Sequence, residues 1–247
     1  MVTATFAQTQ SSRWPWLMLP ARLVLFGFWQ SIIAILLRLL GTADPWLAAA
    51  AWWPLSAFLA NLVCIALLDK RYRWEGLRFW DVFRVQRRTM KQDLLIVLGA
   101  FILAGPIAFL PNMLAATWLF GEQQAALDLF MQPLPVWGFV LSLVLFPLTT
   151  ALTELPTYFA YSMPRLETQT AKRWLAVLLP SLFLALQHCT LPLIFDGRFM
   201  AWRLLMYLPF AISVGLLLHW RPRLLPYLVA VHFLLDMATA LMIPTVG

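Results

Sequence analysis

Apolar residues in this chain run in long blocks, broken by short segments that hold most of the charge. Crossing the ~30 Å hydrocarbon core of a bilayer takes roughly 20 apolar residues. Seven blocks reach or approach that length, at about 21–40, 45–68, 94–120, 136–161, 174–195, 199–220 and 224–243. The pattern predicts an all-α polytopic membrane protein with about seven transmembrane helices, within a range of six to eight, and a single integral membrane domain over 1–247. No internal repeat, low-complexity tract or domain linker interrupts it. Prolines recur inside the blocks, and each removes a backbone donor and bends a helix. Pro156 and Pro192 lie close to Glu154 and His188, where bends suit a cavity between helices.

Composition sharpens this reading. Hydrophobic residues make up 62% of the chain, mean hydropathy is +0.78, and only 12% of residues are charged. A soluble domain carries about 25% charged residues, so that class is excluded. The net charge of +7 would suggest nucleic acid in a soluble protein. Here the basic residues crowd between apolar blocks, as the positive-inside rule describes, so no nucleic-acid partner is expected. Eight Lys and Arg residues lie between Lys70 and Lys91, which marks 70–92 as cytoplasmic. Alternation then puts Arg165, Lys172, Arg173, Arg221 and Arg223 on the same side and the N-terminus in the cytoplasm. Arg38, Arg198 and Arg203 fall on the other side. Within 73–92, aromatic and basic residues alternate at near-helical spacing, which fits either an interfacial helix on an anionic leaflet or a solvated basic loop. Arg13 lies before the first block and Arg22 at its leading edge, with no small-residue cleavage site before Arg38, so that block reads as an uncleaved first helix. Cys64 and Cys189 both lie in apolar runs and support no disulfide framework.

Four polar residues in the later blocks carry candidate chemistry: Glu154, His188, His232 and Asp236. His232 and Asp236 are four apart and share one helix face, so the carboxylate can orient the ring. Charged groups in the bilayer cost a few kcal/mol each, roughly 2.5–3.5 for Asp on insertion scales, so partners or a function are expected. If the four converge in an intramembrane cavity among the last four helices, a carboxylate beside imidazoles can deprotonate water for attack on a peptide carbonyl. An imidazole can then stabilise the oxyanion or protonate the leaving amine. Glu154, His188 and His232 are equally a candidate ligand set for zinc or another divalent metal, and sequence does not separate the two routes. Cys189 follows His188 directly, but adjacent helical residues face about 100° apart, which argues against a Cys/His dyad. His219, beside Trp220 and Arg221, reads as interfacial. Intramembrane acids and imidazoles also mark proton relays, although no inverted repeat of the kind common in transporters is present.

In order and spacing, these residues resemble the CAAX protease and bacteriocin-processing family of intramembrane peptidases (CPBP, or Abi). That family's pattern is a glutamate pair with an arginine five residues after the first, a phenylalanine four before a histidine, and a histidine four before an asparagine or aspartate. Here 136–243 is the motif-bearing part. His232 and Asp236 keep the last element, and His188 keeps the middle one with Leu184 in the phenylalanine position. Thr153-Glu154 stands where the glutamate pair is expected, and Tyr158 occupies the arginine position. The resemblance implies a multi-pass intramembrane endopeptidase in the plasma or inner membrane, acting on a peptide or membrane-protein substrate, with Glu154, His188, His232 and Asp236 as its catalytic residues. The alternative is a non-catalytic relative that binds a membrane partner or confers bacteriocin immunity.

Overall fold

The computed structural model describes residues 12–246. Its helices are α1 (Trp14–Leu39), α2 (Pro45–Ala51), α3 (Trp53–Trp74), α4 (Met90–Phe120), α5 (Gln123–Phe130), α6 (Val136–Leu155), α7 (Met163–Thr170), α8 (Arg173–Gln187), α9 (Gly197–Trp220) and α10 (Leu225–Leu241). A π-helical turn, Pro156–Ser162, joins α6 to α7 without a break. Two short strands, β1 (Leu134–Pro135) and β2 (Thr245–Val246), pair in parallel and tie the C-terminal segment to the start of α6. Among the described residues six helices are long and apolar enough to cross a membrane: α1, α3, α4, the continuous Val136–Thr170 helix, α9 and Pro222–Leu241. The protein is an all-α polytopic membrane protein.

The expected span at 174–195 forms differently. The helix stops at Gln187 after 15 residues, about 22 Å, and 188–196 continues as irregular backbone. Pro192 cannot donate a helical hydrogen bond, and the segment's polar groups find partners inside the protein, as irregular backbone at this depth requires. Leu193 N–H donates to Gln30 Oε1 at 2.7 Å, and Leu193 O accepts from Gln30 Nε2 at 2.9 Å and Trp46 Nε1 at 3.0 Å. The Thr190 hydroxyl reaches Leu23 O at 3.0 Å. The broken segment therefore rests on α1. The expected span at 45–68 is also divided, with α2 ending at Ala51 and Pro54 lying in the first turn of α3.

Pairings at the ends fix which termini share a side. Trp16 meets Gln169, Glu75 meets Arg165, Asp93 meets Arg223, and His219 meets Glu167, so these residues mark one end of the bundle. Every Lys and Arg except Arg22, Arg38, Arg198 and Arg203 belongs to this end or the loops there. His219 Nε2 lies 3.1 Å from Glu167 Oε2, matching its interfacial reading. The 73–92 segment forms no continuous interfacial helix. Instead a 3-10 turn, Phe79–Phe83, is pinned by fully buried Phe79, which packs against Tyr72.

Close packing of α8, α9 and the π turn depends on Gly215. A Cβ there would stand 2.6 Å from Ser181 Oγ and 3.0 Å from Phe159 Cε1. Gly215→Val is expected to cost about 1–3 kcal/mol through overpacking. A lowered thermal unfolding midpoint of the purified protein in detergent would register it, and an unchanged midpoint would show that the junction can relax. By contrast α4 leaves most of its surface to lipid, burying only Asp93, Val97, Ala115 and Ala116.

Candidate functional site

Glu154 lies near the end of α6, two residues before Pro156. The prolyl ring cannot supply the helical N–H, and the chain widens into the π turn directly after the carboxylate, a local form that recurs at functional sites. The threonines on either side spend their hydroxyls on the helix itself: Thr149 donates to Leu145 O at 2.7 Å, Thr153 to Thr149 O, and Thr157 to Thr153 O at 2.6 Å. Glu154 is left as the group that points to other helices. It is 3% exposed, so its polar atoms must be satisfied by protein.

Its partners come from three other helices, α1, α8 and α10. Gln187 Nε2 donates to Glu154 Oε2 at 2.6 Å, and Arg22 Nη2 reaches the same oxygen at 3.3 Å. Arg22 is fully buried on α1; it also donates through Nε to Gln187 Oε1 at 2.6 Å and through Nη1 to Asn61 Oδ1. Asn61 in turn donates to the Thr149 and Thr150 hydroxyls at 3.1 and 2.9 Å. Tyr158, where the family pattern has arginine, donates to Gln187 Oε1 at 3.2 Å. Arg22, 132 residues before Glu154 in the chain, supplies the cation beside that carboxylate.

The other oxygen of Glu154 faces α10. His232 Nε2 is 3.4 Å from Glu154 Oε1 and 3.3 Å from Asp236 Oδ2, so one ring nitrogen meets two carboxylates. Neither contact is aligned as a hydrogen bond, and His232 Nε2 and Asp236 Oδ2 have no other protein partner. His188, just past α8, stacks on Tyr207 with ring centroids 3.5 Å apart. Its Nδ1 is 2.8 Å from Leu184 O. A carbonyl oxygen can only accept, so Nδ1 carries the hydrogen and Nε2 is the free, basic nitrogen. The four sequence-derived residues therefore lie in one buried region, with His232 in contact with both Glu154 and Asp236 and His188 stacked on Tyr207. Cys189 takes no part; its thiol points to Met200 O at 3.3 Å.

The metal-ligand expectation does not fit this geometry. Among the described residues no three His, Cys, Asp or Glu side chains are grouped so as to hold a metal ion. Glu154 Oε2 is occupied by Gln187 and the Arg22 guanidinium, a cation already in place. Glu154, His188 and His232 are not assembled as a ligand set.

Sequence reasoning missed Arg22, Asn61, Gln187 and Arg203. The available signal was the same for both arginines, a cation inside an apolar block. Arg203, 2% exposed, donates from Nε to His188 O at 3.2 Å and from Nη2 to Leu191 O at 3.1 Å, holding the carbonyls freed where α8 ends. The Phe130 ring lies 4.1 Å below its guanidinium. Arg203 thus fixes the turn that carries His188, which explains an arginine that the loop-charge scheme placed on the wrong side. Arg203→Met is expected to cost about 2–4 kcal/mol, since each buried carbonyl left without a donor costs about 1–3 kcal/mol. Amide exchange of 188–196 should accelerate in the variant; unchanged exchange would mean that Gln30 and Trp46 suffice to hold the segment.

No family model matches this chain, and no curated protein or solved structure matches it.

Proposed function

We propose that this protein is an intramembrane endopeptidase of the CPBP type, with its catalytic carboxylate at Glu154. One observation carries the reading: His232 Nε2 stands between Glu154 Oε1 and Asp236 Oδ2 inside the bundle. Oε1 is the oxygen available to take a proton from water, because Gln187 and Arg22 engage Oε2 and hold the carboxylate in position. Water activated by Glu154 attacks the substrate carbonyl; the proton passes to the leaving amine, with His232 as the neighbouring relay and Asp236 steadying the imidazole. His188, whose Nδ1–H is held by Leu184 O, offers Nε2 as a second acceptor for the proton released by the water. The substrate class is a peptide or membrane-protein segment. Clustering of the Lys and Arg residues at the end that holds the start of α1 supports a cytoplasmic N-terminus in a plasma or inner membrane.

The burial of Glu154 favours a second reading, a non-catalytic relative that binds a membrane partner or confers bacteriocin immunity and uses the same network as internal glue. Comparing new peptide termini in membranes of cells making the native protein or Glu154→Gln, at matched levels, separates the two. Termini lost with the substitution support the peptidase; identical profiles support the binding protein.

A further inference from the structure

An apolar groove runs between α4, α9 and α10, lined by Val97, Ala104 and Ala108 on one side and by Phe210, Trp220 and Leu235 on the others. Its volume is about 490 Å³, within the ~300–1,000 Å³ typical of small-molecule sites. From Val97 to Ala108 it extends about 16 Å along α4 at 1.5 Å per residue, which is half the ~30 Å hydrocarbon core. The groove is therefore one leaflet deep. It starts at the basic end, where Trp220 closes α9 and Asp93, four residues before Val97, pairs with Arg223.

Trp220 also lines a second, polar recess, which adjoins the groove at this residue and lies between the 79–92 segment and the α9–α10 turn. Arg84, Arg221 and Arg223 face this recess, and Asp81 is the one acidic residue among its lining groups. Asp81 pairs with Arg84 at 3.0 Å, and Arg223 is held by Asp93 from outside the recess at 2.9 Å. Among the described residues Arg221 has no carboxylate partner, and its guanidinium lies over the Trp220 ring at 4.3 Å. The excess charge is positive and sits at the mouth of an apolar slot of leaflet depth.

We infer that the groove and recess together bind one anionic phospholipid, its acyl chain along α4 and its phosphate at Arg221 and Arg84. Charge complementarity selects the headgroup, and the length of the slot selects a chain from the leaflet at the basic end. A zwitterionic lipid of equal chain length fills the slot without satisfying Arg221. This binding is independent of the peptidase chemistry.

Native mass spectrometry of the full-length protein in detergent, titrated with dioleoyl phosphatidylglycerol, dioleoyl phosphatidylcholine or inorganic phosphate, tests the site. Phosphatidylglycerol is expected to be retained preferentially. Each of Arg84→Gln and Arg221→Gln should weaken it about fivefold, and the double variant about twenty-five-fold. Ala104→Trp, which fills the slot, should weaken both lipids, while Arg38→Gln at the opposite end of the bundle should change neither. Equal retention of the two lipids would overturn the inference, as would an equal loss with Arg38→Gln, since that reflects net charge alone. Displacement by inorganic phosphate together with unchanged binding in Ala104→Trp would also overturn it, leaving an anion site with no lipid chain. Variants are compared only where they elute as the native protein does, and the two single arginine variants keep the test decisive if the double variant aggregates.

Discussion

Arg22→Met is expected to destabilise the bundle by about 3–5 kcal/mol, the cost of breaking a buried ion pair by removing one partner. The substitution keeps the length and apolar stem of the side chain but takes away three donors. Glu154 then keeps only Gln187 on Oε2, and the Asn61 and Gln187 carbonyls lose their charged donor in the interior. The loss should appear as a lower unfolding midpoint by heat or by denaturing detergent titration. Removing the carboxylate as well, in Arg22→Met with Glu154→Gln, should recover part of it, because residues in one network couple by about 0.5–3 kcal/mol. A single variant within about 0.5 kcal/mol of the native protein would show that the guanidinium is not needed to hold Glu154. Additivity in the double variant would show that the two residues act separately.

On the proposed peptidase reading, proteolysis by the purified protein should fall about 10²- to 10⁴-fold in Glu154→Gln, the usual contribution of a positioned general base. The variant also leaves Arg22 as a buried cation without its anion, so lost activity alone could reflect lost fold. Arg22→Met with Glu154→Gln separates the causes, for it removes both charges and should be better folded than either single variant yet just as inactive. His232→Ala should reduce the rate by a similar factor with a smaller stability cost, since no aligned hydrogen bond is lost. Asp236→Asn should do less, because Asp236 reaches the reaction through the imidazole. Full proteolysis by both Glu154→Gln and His232→Ala would sink the peptidase assignment and favour the binding protein.

The membrane class, the spans near α1, α4, α6, α9 and α10, and the gathering of basic loops at one end were all legible in the sequence. Each depends on a local quantity, the length of an apolar run against bilayer thickness or the count of cations in a loop. The pairing of His232 with Asp236 was legible for the same reason, since a spacing of four is one helical turn. Where 174–195 would break was not legible, because Pro192 permits a break but Gln30, Trp46 and Arg203, from other helices, supply the groups that stabilise it. Arg22 is the clearest case of what only tertiary structure decided. In the sequence it is a basic residue at the edge of the first apolar block, and the helical period relates it to nothing near Glu154. Helix packing, not spacing along the chain, brings its guanidinium to that carboxylate, because a buried charge is tolerated only where another element supplies the opposite one.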